Sequence, residues 1–109
     1  MLKKSHRLPA KVRLSGSLYL TNPFFTIRFA KSDFEESRFV FIVSKKVSSK
    51  AVVRNRIRRQ MSEGIKNLLP NIKLGYNFIF SVKKEIQLKT TAEIYKEMKA
   101  SLEKAELIQ

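Results

Sequence analysis

Hydrophobic and polar positions alternate between Phe24 and Phe29, where Phe25, Ile27 and Phe29 are separated by Thr26 and Arg28. A period of two puts those three side chains on one side of a strand, and they are its expected core face. Before it, Leu18, Tyr19 and Leu20 lie between Gly16 and the turn pair Asn22-Pro23 and read as a short strand. After a polar loop from Lys31 to Ser37, the run from Arg38 to Ser44 is almost continuous in Phe, Val and Ile, as in an interior strand covered on both faces. Three consecutive strands within 17–44 predict a meander.

The period then lengthens. Val53, Ile57, Met61, Gly64 and Leu68 fall within about 80° of one another at helical spacing, so a helix over 49–69 buries that stripe. Ser48 and Ser49 are the expected N-caps and Pro70 the stop. Asn55, Arg59 and Lys66 then lie opposite the stripe, with Arg54 and Arg58 on one flank and Arg56 on the other. Leu74-Gly75 leads into a strand at 76–82, dense in aromatic and β-branched residues and ended by Lys83, Lys84 and Glu85. Thr90 and Glu93 have capping-box spacing, and Ile94, Met98, Leu102 and Ala105 predict a second amphipathic helix over 91–107. Residues 1–16 are basic, weakly patterned and interrupted by Pro9, and are expected to form an irregular arm. The order is β-β-β-α-β-α in one α+β domain over 1–109.

Composition narrows what such a domain does. With 43% hydrophobic residues in 109, the chain can build one real core. Lys and Arg number 23 against 9 Asp and Glu, a net charge of +14 that calls for a bound polyanion to offset self-repulsion. No cysteine is present and His6 is the single histidine, which excludes a disulfide scaffold, a cysteine zinc finger and a histidine cage. No apolar run approaches the roughly 20 residues of a membrane helix, and the expected setting is the cytoplasm.

The charge is concentrated. Lys45, Lys46, Lys50, Arg54, Arg56, Arg58 and Arg59 lie in a stretch with no acid between Glu36 and Glu63. Solvated helix faces usually alternate signs, because oppositely charged residues four apart relieve repulsion; this one does not. Arginine forks hold phosphate oxygens bidentately, a helix start offers free amides, and Asn55 can read a base edge or a sugar hydroxyl. Candidate catalysts are poor by contrast. His6 has no orienting partner in the pattern and is expected to contact RNA or to be exposed on a mobile arm. Asp33, Glu35 and Glu36 read as a solvated loop rather than a magnesium site. Ser44, Ser48 and Ser49 suit turns and caps.

Ser44-Lys45-Lys46, then Lys50-Ala51-Val52-Val53-Arg54-Asn55-Arg56-Ile57-Arg58-Arg59 with Glu63, closely resembles the protein component of bacterial ribonuclease P. The resemblance extends to His6-Arg7-Leu8, Pro23-Phe24-Phe25, Gly75-Tyr76 and the terminal helix, nearly the whole chain. It implies a four-stranded mixed sheet packed with helices, with a left-handed β-α-β crossover where pattern alone would suggest a right-handed one. It also implies a subunit of an RNA-based endonuclease. The catalytic RNA holds the active site and removes the 5′ leader of precursor transfer RNA with magnesium, held mainly by the RNA and by substrate phosphates. No catalytic residue and no metal ligand is then expected in the protein. The implied partners are the catalytic RNA and precursor transfer RNA, with no membrane and no obligate protein partner.

Carried over residue by residue, the resemblance makes Lys45, Lys46, Lys50, Arg54, Asn55, Arg56, Arg58 and Arg59 the side facing the catalytic RNA. Thr26 and Arg28 on the second strand, with Val40 and Ile42 on the third, match the leader cleft. Relatives carry two aromatic residues on an N-terminal helix as one wall of that cleft, whereas 7–16 is short and has no aromatic residue. Either charge holds the leader, through Arg13 and Arg28 with Arg7 and Lys11 beside them, or Tyr19 or Phe24 replaces the missing rings. Ser62 stands where relatives often have another arginine, and its expected effect is one phosphate contact fewer. The alternative is an RNA-binding module of ribosomal-protein type with no part in cleavage.

Overall fold

A computed structural model describes residues 2–9, 14 and 16–108 and contains strands β1 (Leu18–Thr21), β2 (Phe25–Lys31), β3 (Arg38–Ile42) and β4 (Tyr76–Val82), with helices α1 (Ala51–Leu68) and α2 (Thr91–Lys104). The strands form one mixed sheet in the order β1-β2-β4-β3, and the expected meander is not formed. β1 and β2 make an antiparallel hairpin, but β4 inserts between β2 and β3, antiparallel to the first and parallel to the second. The reason is the helix between them. α1 carries the chain from the end of β3 back to the start of β4, so the two strands run the same way. β4 is therefore the covered interior strand, with Phe78, Ile79 and Phe80 all buried, and β3 lies at the sheet's edge.

Alternation sorts the sheet into two faces. Phe25, Ile27 and Phe29 are buried as the period of two predicts, and register places Phe78 and Phe80 beside them and beside Phe39 and Phe41. The rings of Phe39 and Phe78 stack with centroids 4.9 Å apart, and Phe25 meets Phe80 at 5.5 Å. Ile57, Met61, Ile65 and Leu68 of α1 and Ile94, Met98 and Leu102 of α2 complete the same core. The helices cross closely at Gly64, where a β-carbon would meet the Met98 methyl at 3.3 Å.

The helix ends differ in detail from the pattern. Lys50, not Ser48 or Ser49, is the N-cap of α1 and makes no side-chain cap bond. The Ser48 hydroxyl instead accepts from the Lys50 amide, closing a local turn. At α2 the Thr90 hydroxyl accepts from the Glu93 amide and the Glu93 carboxylate from the Thr90 amide, both at 3.1 Å, so the capping box is real. That helix stops at Lys104 rather than 107 because Glu106 adopts a left-handed φ of 60°. Leu107 then turns back, its carbonyl accepting from the Lys73 amide.

Over residues 2–9 the N-terminal arm is more ordered than its weak pattern suggests. Lys4–His6 form a 3-10 turn, Leu2 and Leu8 are buried, and the Leu8 amide donates to the Phe39 carbonyl at 2.8 Å beside β3. His6 is neither free nor displayed. Its Nδ1 lies 2.8 Å from the Ser37 carbonyl and its Nε2 3.3 Å from the Glu36 carboxylate, anchoring the arm to the β2–β3 loop.

Candidate nucleic-acid interface

The basic segment forms the turn after β3 and the first turns of α1. Val47 is its buried anchor, and Gln87 donates to the Val47 carbonyl from the far side. This leaves Lys45, Lys46 and Lys50 exposed at the start of α1. Along the helix, Asn55, Arg56 and Arg59 are exposed, as expected of residues away from the buried stripe. The two flanking arginines are partly buried and tied to the backbone. Arg54 Nη1 donates to the Ser48 carbonyl at 2.9 Å, and Arg58 donates to the Val43 carbonyl at 3.2 Å and to Asn55 Oδ1 at 2.9 Å. Their partners are neutral oxygens. None of these seven cations meets a carboxylate among the described residues, so their charge is available to an anion. The uncapped first turn of α1, with no acidic residue, adds its free amides to the same field.

A second candidate surface is the sheet face opposite the helices. Register aligns Tyr19, Arg28, Ile79 and Val40 in one row across four strands, and Thr21, Thr26, Ser81 and Ile42 in the next. The expected set Thr26, Arg28, Val40 and Ile42 is therefore brought onto one face, although β2 and β3 are not neighbours. Tyr19, Ile79 and Ser81 belong to that face as well. Ile79 and Ser81 could have been found only with the strand order in hand, because nothing local in β4 says which strands flank it. Tyr19 is 64% exposed, and the Arg28 guanidinium lies 5.3 Å from its ring centroid. Arg28 Nη2 also reaches the Ser17 hydroxyl at 3.4 Å, while its buried Nε has no partner among the described residues.

Phe24 does not join this face. It precedes β2, packs against the core and lies beneath the Lys89 ammonium at 5.0 Å, because the Asn22 side chain accepts the Phe24 and Phe25 amides and sets the chain's course into the strand. Arg7 is exposed at the edge of β3, away from the rows on the sheet. Arg13 and Lys11 lie outside the described residues. Ser62 is a wall residue on the helix side, 6% exposed, rather than a vacancy on the cationic face. Among the described residues no three acidic, histidine or cysteine side chains converge on a metal site. Glu36 of the acidic loop is engaged with His6, so these residues do not by themselves fit a magnesium ion. No described helix is long and apolar enough to cross a membrane.

Comparison with known proteins bears on the family and the fold. The ribonuclease P family model matches residues 10–106. The ribonuclease P protein component of Synechococcus elongatus is 32% identical over 98% of this chain and 90% of its own length. That of Microcystis aeruginosa is 42% identical over 66% of this chain and 60% of its own. Among solved structures, a Staphylococcus aureus ribonuclease P protein superposes with a TM-score of 0.77, covering 85% of this chain and 84% of that one at 24% identity. The Thermotoga maritima protein superposes at 0.75, over 82% and 84%, at 20% identity. The mixed four-stranded sheet with two helices is thus the fold of those proteins, and the chain belongs to the ribonuclease P protein family.

Proposed function

We propose that this chain is the protein subunit of ribonuclease P and that it holds two RNA segments on two distinct surfaces. The observation that carries the reading is the acid-free stretch from the turn before α1 through Arg59, where seven cations stand over a buried stripe and meet no carboxylate among the described residues. That face receives the catalytic RNA. Arg56, Arg59 and the three lysines grip phosphates, and Asn55 is placed to read a base edge or 2′-hydroxyl.

The opposite sheet face receives the 5′ leader of precursor transfer RNA. Arg28 supplies charge, Tyr19 a ring for stacking, and Thr26, Val40 and Ile42 a shallow floor. Magnesium, when bound in the assembled particle, supplies the activated hydroxide and charge neutralisation for phosphodiester hydrolysis. This chain positions RNA and contributes no acid or base of its own. The reading places the assembly in the cytoplasm.

Reconstitution with a bacterial ribonuclease P RNA tests it. Leader removal at low salt should require both components, and the assembled particle should bind precursor transfer RNA more tightly than the same RNA lacking its leader. Equal affinity for the two substrates would instead favour a general RNA-binding module, and cleavage by the protein alone would refute the subunit assignment.

A further inference from the structure

The outer edge of β3 borders a groove of about 320 Å³ between the N-terminal arm and α1. Leu2 and Leu8 line it from the arm, Phe39, Phe41 and Val43 from the strand, and Arg58 and Ser62 from the helix. Its polar groups are few and directed. The Phe39 carbonyl points outward to the Leu8 amide and the Val43 carbonyl outward to Arg58. By alternation the N–H and C=O of Phe41, between them, face the groove as well. Neither has a partner on that side among the described residues. Ser62 lines the same groove from α1.

We propose that this groove takes one unstacked nucleotide of the RNA held on α1, with the base inside and the phosphate at the mouth. The proposal rests on the reading that α1 faces RNA. Four features select this occupant. The walls are apolar, as a base face requires. Phe41 presents a donor beside an acceptor, the complement of the adjacent acceptor and donor on the Watson–Crick edge of every base. Arg58 and Arg7 border the groove, meet no carboxylate among the described residues and suit a phosphate. The volume lies at the small end of ligand sites, enough for a single base.

A peptide strand is the obvious competitor for a sheet edge, but the free edge is too short. Leu8 closes it at Phe39 and Arg58 closes it at Val43, leaving four residue steps, roughly 13 Å, with one outward-facing residue between. Strand addition draws its affinity from several consecutive backbone bonds.

The test is titration of the isotope-labelled protein with adenosine 5′-monophosphate, with adenosine and with inorganic phosphate, followed by NMR. The monophosphate should shift the Phe41 and Ser62 amides saturably and give Overhauser contacts from adenine protons to the methyls of Leu2, Leu8 and Val43. Inorganic phosphate should move only the arginine signals. Ser62→Leu, which fills the groove, should weaken monophosphate binding at least tenfold. The Overhauser contacts in the native protein decide the matter if that variant folds poorly. Identical responses to phosphate and monophosphate, or absence of base-to-methyl contacts, would overturn the pocket. The same preparation is assembled with a bacterial ribonuclease P RNA. Leader removal without monophosphate binding sinks the pocket alone, and failure to assemble sinks the subunit reading.

Discussion

Arg58 donates to the Val43 carbonyl at 3.2 Å, so a residue of the cationic helix also closes the outer edge of the sheet. Its neighbours Arg56 and Arg59 make no such bond and are exposed. Arg58→Ala should therefore lose about 1 kcal/mol of folding stability together with RNA affinity, since a partly buried carbonyl loses its charged donor. Arg56→Ala and Arg59→Ala should lose affinity while stability changes by less than about 0.5 kcal/mol. Urea denaturation beside RNA-binding titrations separates the two kinds of arginine. Equal destabilisation by all three would show that the exposed pair packs on the fold.

Affinity for the catalytic RNA should depend steeply on salt. If about six of the unpaired cations displace counterions, affinity falls by roughly three decades between 50 and 200 mM monovalent salt. Each of Arg56→Ala and Arg59→Ala should lower the logarithmic slope by about one. A flat salt profile would mean that the exposed arginines are not phosphate contacts.

Tyr19 is the exposed ring in the row that contains Arg28, and Arg28 lies across it. Tyr19→Ala should reduce the advantage of leader-bearing over leaderless substrate by about 1 to 3 kcal/mol, the worth of one stacked base. Tyr19→Phe should retain most of it, because stacking needs the ring and not the hydroxyl. Loss of both substrates in parallel would place Tyr19 outside the leader site.

Gly64 is the close crossing of α1 and α2. An alanine there gains helix propensity of up to about 1 kcal/mol, and the atoms it meets are the flexible end of Met98, which can shift. Gly64→Ala should be slightly stabilising, whereas Gly64→Val should cost about 1 to 3 kcal/mol by overpacking. Thermal unfolding reads both, and a stable valine variant would refute the tight crossing.

The capping box at Thr90 gives a pH signature. Hydrogen bonds from the Thr90 backbone and side chain hold the Glu93 carboxyl below its ordinary range. A lowered folded-state value means that the stabilisation is present above the ordinary glutamate range and is lost as pH falls through the lowered value. The stability difference between native protein and Glu93→Gln should shrink correspondingly in acid. Thr90→Ala should cost about 1 kcal/mol at neutral pH. Both are measured by denaturation at a series of pH values, and a difference that grew in acid would contradict the cap.

Local periodicity was enough to determine the four strands, the two helices and the buried faces of β2 and α1. The alternation of Phe25, Ile27 and Phe29 and the stripe through Ile57, Met61 and Leu68 each depend only on which way successive side chains point from one backbone segment. The cationic face of α1 follows from the same rule, since Asn55, Arg56 and Arg59 lie away from that stripe. The family was legible there too, in the Arg-Asn-Arg run and its preceding lysines.

Pairing was a different matter. Nothing local in Arg38–Ile42 says that its neighbour is β4, some forty positions later, rather than β2. A continuous apolar run looks the same at an edge as in the interior when a helix and an arm cover it. The tertiary structure alone placed Tyr19, Arg28, Ile79 and Val40 in one row, turned His6 from a displayed side chain into an anchor, and left Phe41 facing a groove between Leu8 and Ser62. Those relationships join residues far apart in the chain, and the packing that brings them together is decided by the whole core at once.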